Sequence, residues 1–422
     1  MLNALSNVFK VKELRKKVLF VLAMMVVYRL GAHIPVPGVD AAVLRERLFG
    51  GAAGGVFDFL DLFAGGALRN FTIFAMSITP YITASIILNL LTVVIPKLEE
   101  LSKQGNEGRK KIAQYTRYSA VVLAVIQGVG ITAMIKGFGA ISNPDFFNLF
   151  LIVISLTAGT AFLMWLGEQI TEKGIGNGIS IIIFTSILSR FPSDIYGTWR
   201  LLKAGTISVL NILIFLVLAI LIIAGIIFVQ QGERRIPVQY SKRIVGRKVY
   251  GGRSTHIPMK INQPGVIPVI FASSVLLFPG VIAKVLPYGW AQSIASMISP
   301  GSTLYLILYG LMILFFTYFY TAITFNPEEV AENMKKYGGF IPGIRPGRAT
   351  VNYLDKILVR VTLAGAVFLT IVALLPFAMG PLTGVNISFG GTSLLIMTGV
   401  ALQTMQQIES QLLMRHYEGF MK

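Results

Sequence analysis

Ten stretches of this chain are apolar over lengths close to the roughly 20 residues that a helix needs to cross a bilayer. That repetition constrains the fold more than any motif. The approximate bounds are 18–33, 71–95, 119–135, 146–166, 179–191, 209–229, 266–286, 304–325, 357–377 and 388–408. The fifth is weak, because its apolar core runs only from Ile179 to Leu188. The apolar residues are continuous instead of alternating, which excludes a transmembrane β-barrel. Charged residues make up 13% of the chain, about half the share of a soluble domain. The expected class is an all-α polytopic membrane protein.

The net charge of +18 is explained by where the charges fall. With the N-terminus inside, 28 of the 37 Lys and Arg residues lie in cytoplasmic segments and 8 in outer ones, as the positive-inside rule requires. Removing the weak fifth span would place segment 230–262, with eight of those cations, outside. Ten spans and two cytoplasmic termini are therefore expected. Residues 1–17 alternate apolar side chains with Lys10, Lys12, Arg15, Lys16 and Lys17, the pattern of an amphipathic helix lying on the cytoplasmic face. No small-residue cleavage site follows 18–30, so a cleavable signal is not expected.

Five spans fall in 18–206 and five in 207–408, followed by a cytoplasmic tail, 409–422. Each half opens with one span and a long connection, 34–70 and 230–262, on opposite sides of the membrane. The second span of each half carries a proline, Pro80 and Pro268. An odd number of spans per half makes the halves inverted, an arrangement that builds pathways at the repeat interface; chance is the competing explanation of the shared length and proline pattern. A second long inside connection is 326–353.

Catalytic, metal and cofactor chemistry find little footing. There is no Cys, and His33, His256 and His416 lack ligand spacing. Gly174–Gly178 is glycine-rich but follows a helix, which a nucleotide loop does not. Arg29, Arg190, Lys284 and Arg360 sit near span ends, Glu168 lies just past one, and Asn89 and Gln127 are isolated. A proton- or ion-coupled transporter needs ionisable groups at mid-membrane. The expectation is a non-enzymatic, cofactor-free conduit driven by partners. The alternatives are an inverted-repeat small-solute transporter, which the missing charges oppose, and a membrane scaffold.

Residues 56–67 are apolar but too short to span, and glycines flank them. Asp58 and Asp61 share one helical face. Such a helix either folds back into a pore mouth or rests on lipid headgroups. On the inner side, Arg235–Tyr240 alternates like a strand and Val245–Tyr250 follows with a turn signal at Gly246, predicting a basic hairpin with Arg243, Arg247 and Lys248. Pro342–Gly347 is a stiff turn that holds Arg345 at its tip.

Several stretches resemble SecY, the large subunit of the bacterial Sec translocon, over essentially the whole chain. They include Ala64–Ala67 with Ile78–Ile86, Glu107–Tyr118, Trp165–Ser180, Pro264–Pro268, Phe340–Gly347 and Phe389–Ile396. The resemblance implies an hourglass pore between two inverted five-helix halves in a bacterial plasma membrane. It implies a waist ring of Ile78, Ile82, Ile179, Ile183, Ile270 and Ile396. It makes 56–67 a plug, with Val56, Phe57, Phe59, Leu60, Leu62, Phe63, Gly65 and Gly66, and it makes the seam of spans two and three with spans seven and eight a lateral gate. The implied partners are SecE and SecG in the membrane, the SecA ATPase or the ribosome on Arg243, Arg247, Lys248 and Arg345, and signal sequences, unfolded polypeptide and lipid.

Overall fold

The computed structural model describes residues 11–49, 54–240, 243–245, 248–250, 254–285, 297, 302–383 and 391–420. The helices, in chain order, are α1 (Lys12–Gly31), α2 (Ala41–Phe49), α3 (Gly54–Ala64), α4 (Thr79–Val94), α5 (Pro96–Lys103), α6 (Asn106–Gly137), α7 (Phe146–Lys173), α8 (Gly178–Lys203), α9 (Val209–Gln231), α10 (Ile267–Val285), α11 (Thr303–Thr324), α12 (Pro327–Lys336), α13 (Arg348–Thr383) and α14 (Gly391–Phe420). Side-chain oxygens fix several starts. Asn177 accepts from the N–H groups of Ile179 and Ser180, Ser208 from Asn211, and Ser302 from Tyr305, which satisfies first-turn donors that have no partner inside the helix.

Among the described residues, six helical segments are long and apolar enough to cross a membrane, within α6, α7, α8, α9, α11 and α13, or seven if the pair α4 and α5, bent by 100°, is one span. The weak fifth span is thus a continuous 26-residue helix that runs through Pro192. The other three expected spans coincide in position with α1, α10 and α14. Lys12, Arg15, Lys16 and Lys17 occupy the first turns of α1, and Gln403, Gln406 and Gln407 lie in α14. Of the expected surface segment 1–17, residues 1–10 lie outside the described residues and 12–17 open α1.

The second span differs from its expected bounds of 71–95. Residues 71–78 are a chain of turns, and the helix starts only at Thr79. Phe71 and Ser77 have positive φ, +43 and +52; across an isolated bridge of Thr72 with Pro35, in the loop after α1, Val36 N–H donates to the Phe71 carbonyl and Ile73 N–H to the Ile34 carbonyl. Non-helical backbone at this depth is tolerated where protein buries it, and Phe71, Thr72, Phe74, Ala75, Met76 and Ser77 are all buried.

The two halves repeat one packing scheme. In the first, α1 packs on α7 and α8, α4 on α6, α6 on α7, and α7 on α8. In the second, α9 packs on α13 and α14, α10 on α11, α11 on α13, and α13 on α14. The five pairings correspond one for one. Among the described residues, the halves meet through α8 against α14 and through α10 against both α4 and α6, and α1 also touches α14 by Lys17 and Gln411.

A three-stranded antiparallel sheet of order β4-β1-β5 projects beside the bundle, from β1 (Glu233–Tyr240), β4 (Ser254–Lys260) and β5 (Gly339–Phe340). Strands β2 (Arg243–Val245) and β3 (Lys248–Tyr250) form a separate hairpin at the far end of β1. The alternation of β1 buries Ile236 and Val238 against Met259, Ala331, Met334, Ile341 and Leu354. Connections 230–262 and 326–353, expected as separate projections, are therefore one body with its own apolar core.

Candidate conduction pathway and its plug

The six isoleucines expected at the waist lie at or near the starts of four helices, α4, α8, α10 and α14, which are among the helices through which the two halves touch. Ile78 immediately precedes α4, and Ile82 lies one turn in; Ile179 and Ile183 occupy the first turns of α8; Ile270 opens α10 and Ile396 lies early on α14. Five are buried, Ile179 is half-buried, and all six belong to the same apolar cluster. Among the described residues, the buried side chains that carry charge are Asp61 and Arg190, and neither belongs to this neck.

Helix α8 orders the pathway. At about 1.5 Å per residue it leads from Asn177 and Ser180, past Ile183, to Ser186 and Arg190. Asn177 and Ser180 line a cavity of about 280 Å³. Ser186 and Ser189 touch the short helix α3 and its turn. The candidate neck residues of α8 thus lie between a polar cavity and the seat of α3.

Eleven residues make up α3, too few to span. It packs on α8 and buries Phe57, Leu62 and Phe63, while Leu60 is half-buried. The side chains of Val56 and Phe59 lie outside the described residues. The chain then reverses through Gly65 (φ +63) and Gly66 (φ +88). At Gly65 a Cβ would also stand 2.9 Å from Ser186 Cα, so glycine is required twice over: by conformation and by the close approach of α8.

A polar seat holds this turn, and it escaped the sequence reading. Asp61, 1% exposed, accepts from the N–H groups of Leu68 and Arg69 at 3.0 Å each. Its other oxygen lies 3.4 Å from Arg190 Nη1. Tyr28 donates to the Ala64 carbonyl at 3.1 Å and shares a hydrogen bond with Ser186 Oγ at 2.6 Å. Arg29 Nη1 and Ser189 Oγ both donate to the Gly65 carbonyl, at 3.0 and 3.2 Å. Ser77 Oγ donates to the Phe63 carbonyl at 2.8 Å. Burial pushes the Asp61 carboxyl above the ordinary carboxylate value, and Arg190 and the two N–H donors offset that only in part. The available signal was Arg29 and Arg190 at span ends, together with Asp61 in an apolar helix.

Of the residues expected to dock a partner, Arg345 is exposed on the turn between β5 and α13, where Thr350 Oγ1 ties its carbonyl at 2.9 Å. Arg243 and Lys248 lie on β2 and β3, with side chains outside the described residues, as is Arg247 entirely. The hairpin and the Arg345 turn are carried by the same sheet, through β1 and β5.

Two helical halves of matching packing that share one apolar core, with a short helix seated against α8, have the architecture of a membrane channel. The SecY family model matches residues 72–405. Over their full lengths, the chain is 49% identical to the protein translocase subunit SecY of Streptomyces galbus. It is 47% identical to that of Thermotoga maritima, covering 98% of that protein. A solved protein-conducting channel superposes with a TM-score of 0.66 at 18% identity, over 93% of this chain and 91% of that one. Sec61 in a canine ribosome–channel complex gives 0.63 at 17%, with the same coverage. The chain belongs to the SecY family and is a multi-pass membrane protein.

Proposed function

We propose that this chain is the pore subunit of a bacterial plasma-membrane translocon, with ten spans and both termini in the cytosol. It passes unfolded secretory polypeptide through the isoleucine neck and releases apolar segments sideways into lipid, between α4 and α6 on one side and α10 and α11 on the other. The observation that supports this reading is that six isoleucines, carried by four of the helices where the halves touch, all face one apolar core. An apolar constriction excludes ions by dewetting, and branched side chains part around a peptide without binding its sequence. A signal segment with about 7–15 apolar residues fits the seam, where hydrophobic transfer of about 25 cal/mol per Å² sorts it without catalysis. The chain works as a passive, non-enzymatic conduit. SecA or the ribosome docks on the body that carries Arg243, Arg247, Lys248 and Arg345. SecE and SecG are its membrane partners; α9, apolar all round and barely buried within the chain, suits contact with lipid or such subunits.

The native lack of Cys makes the test direct. With cysteines at Leu60→Cys and in a secretory polypeptide stalled in transit, a disulfide between them is expected. A stalled polypeptide that reaches neither this position nor any other along the neck would overturn the reading.

A further inference from the structure

The chamber below the neck has an unusual lining. Asn177, Gln230, Asn262, Gln263, Gln403 and Gln406 contribute carboxamides, no acidic residue takes part, and Lys260 is the one formal charge. Asn262 is 4% exposed, yet neither its amide nitrogen nor its oxygen has a hydrogen-bond partner; the Gln230 amide nitrogen is likewise buried and unpartnered. Such groups are costly to leave unpaired. The chamber adjoins the neck through three helices: Ser180 follows Ile179, Ile267 lies one turn before Ile270, and Gly399 lies one turn after Ile396.

We infer that this chamber is a binding site for the main chain of extended polypeptide, and that its carboxamides hold the peptide groups of the segment about to enter the neck. The inference rests on the channel reading above. A carboxamide offers one acceptor oxygen and two N–H donors, the same chemistry as a peptide group, which presents one donor and one acceptor per residue whatever its side chain. Charged linings would retain segments of opposite charge, and apolar linings would retain greasy ones. An amide lining is indifferent to both. It also meets the peptide at the point where water must be left behind, because the neck beyond it offers no partner to an N–H or a carbonyl.

The test compares two substrates in the complete reconstituted translocon. Each is a secretory polypeptide stalled by a folded domain. One carries eight ordinary peptide groups in the chamber; the other has alternate amides replaced by esters, which removes N–H donors and weakens the carbonyl acceptors. In a separate sample, a disulfide from Leu402→Cys, which lines the chamber without a carboxamide, to a substrate cysteine locates the segment; backsliding after ATP removal, measured without that cysteine, reports its retention. Each hydrogen bond lost changes retention by about threefold or more, so the ester segment is expected to slide back several-fold faster in the otherwise unaltered channel. The difference should close in the Asn262→Leu, Gln230→Leu variant. Equal backsliding of the two substrates without those substitutions would mean that the cavity holds only water, and would overturn the inference. A substrate that reaches Leu60→Cys but never Leu402→Cys would overturn it while leaving the channel reading standing. A substrate that reaches neither position would sink both.

Discussion

The neck and the seat of the plug lie a few turns apart on α8, yet they are held together by opposite means. Ile179 and Ile183 meet their partners through apolar contact alone. Ser186, Ser189 and Arg190 meet theirs through hydrogen bonds and an ion pair. Apolar contact has no direction, so the neck can open by small amounts and close around whatever passes. The seat is directional and exists in one geometry, so it is either made or broken. The difference suggests a division of labour: the neck seals around a moving chain, and the seat fixes the resting position of the plug.

The sharpest way to break that comparison is Arg190→Leu. Asp61 would keep two N–H donors but lose its cation in a site from which water is nearly excluded. Breaking a buried pair from one side costs about 3–5 kcal/mol, enough to unseat the helix. Resting ion conductance in planar bilayers should rise toward that of a channel lacking residues 57–67. The double change Asp61→Leu with Arg190→Leu should leak less than Arg190→Leu alone, because two matched apolar side chains leave no charge stranded. Equal leak from the single and double variants would show that the pair does not hold the plug.

A smaller effect is expected at the neck. Ile82→Asn or Ile270→Asn buries an amide without a partner, at about 1–3 kcal/mol, and wets the constriction. Single-channel openings should become more frequent, whereas Ile82→Leu, an apolar swap that costs less than about 1.5 kcal/mol, should leave the resting current unchanged. If Ile82→Leu leaked as much as Ile82→Asn, shape and not dryness would be the seal.

These two regions were not equally legible in the sequence. The isoleucines recur one turn apart at Ile78 and Ile82 and at Ile179 and Ile183; Ile78, Ile82, Ile179 and Ile396 lie within segments that already resemble a family, and Ile183 and Ile270 lie just beyond such segments. In the seat, Tyr28 and Ser186 are ordinary residues for a membrane helix, and Arg190 looks like a charge at a span end. Only the fold brings Tyr28 and Ser186 within 2.6 Å of each other. The two-residue strand β5 has no periodicity to detect, so the union of both inner connections on one sheet was hidden too. Residues 71–78 misled for a different reason. Their apolar composition suits a helix, and the departure is imposed by main-chain bonds to the loop after α1.

Tyr28→Phe probes the directional seat more gently than removing Arg190. The ring keeps its stacking on Phe74, with centroids 5.9 Å apart, while the hydroxyl bonds to Ala64 and Ser186 disappear. A net loss of about 1 kcal/mol per hydrogen bond predicts a several-fold rise in the open fraction of the resting channel. Conductance indistinguishable from that of the unaltered chain would shift the weight of the seat onto Asp61 and Arg190.

The smallest expected effect is that of pH. Burial raises the Asp61 carboxyl above its unfolded value, which is about 3.9. For an acid shifted upward, the seated state gains by binding a proton, so this contribution is fully present below the unfolded value and fades as pH rises through the seated one. Acidifying the outer compartment toward pH 4 should therefore lower resting conductance. In Asp61→Asn, which has no proton to gain, that response should vanish. A leak that grew on acidification would mean that the Asp61 charge, and not its neutral form, is what the seat prefers, and would make the ion pair the dominant contact there.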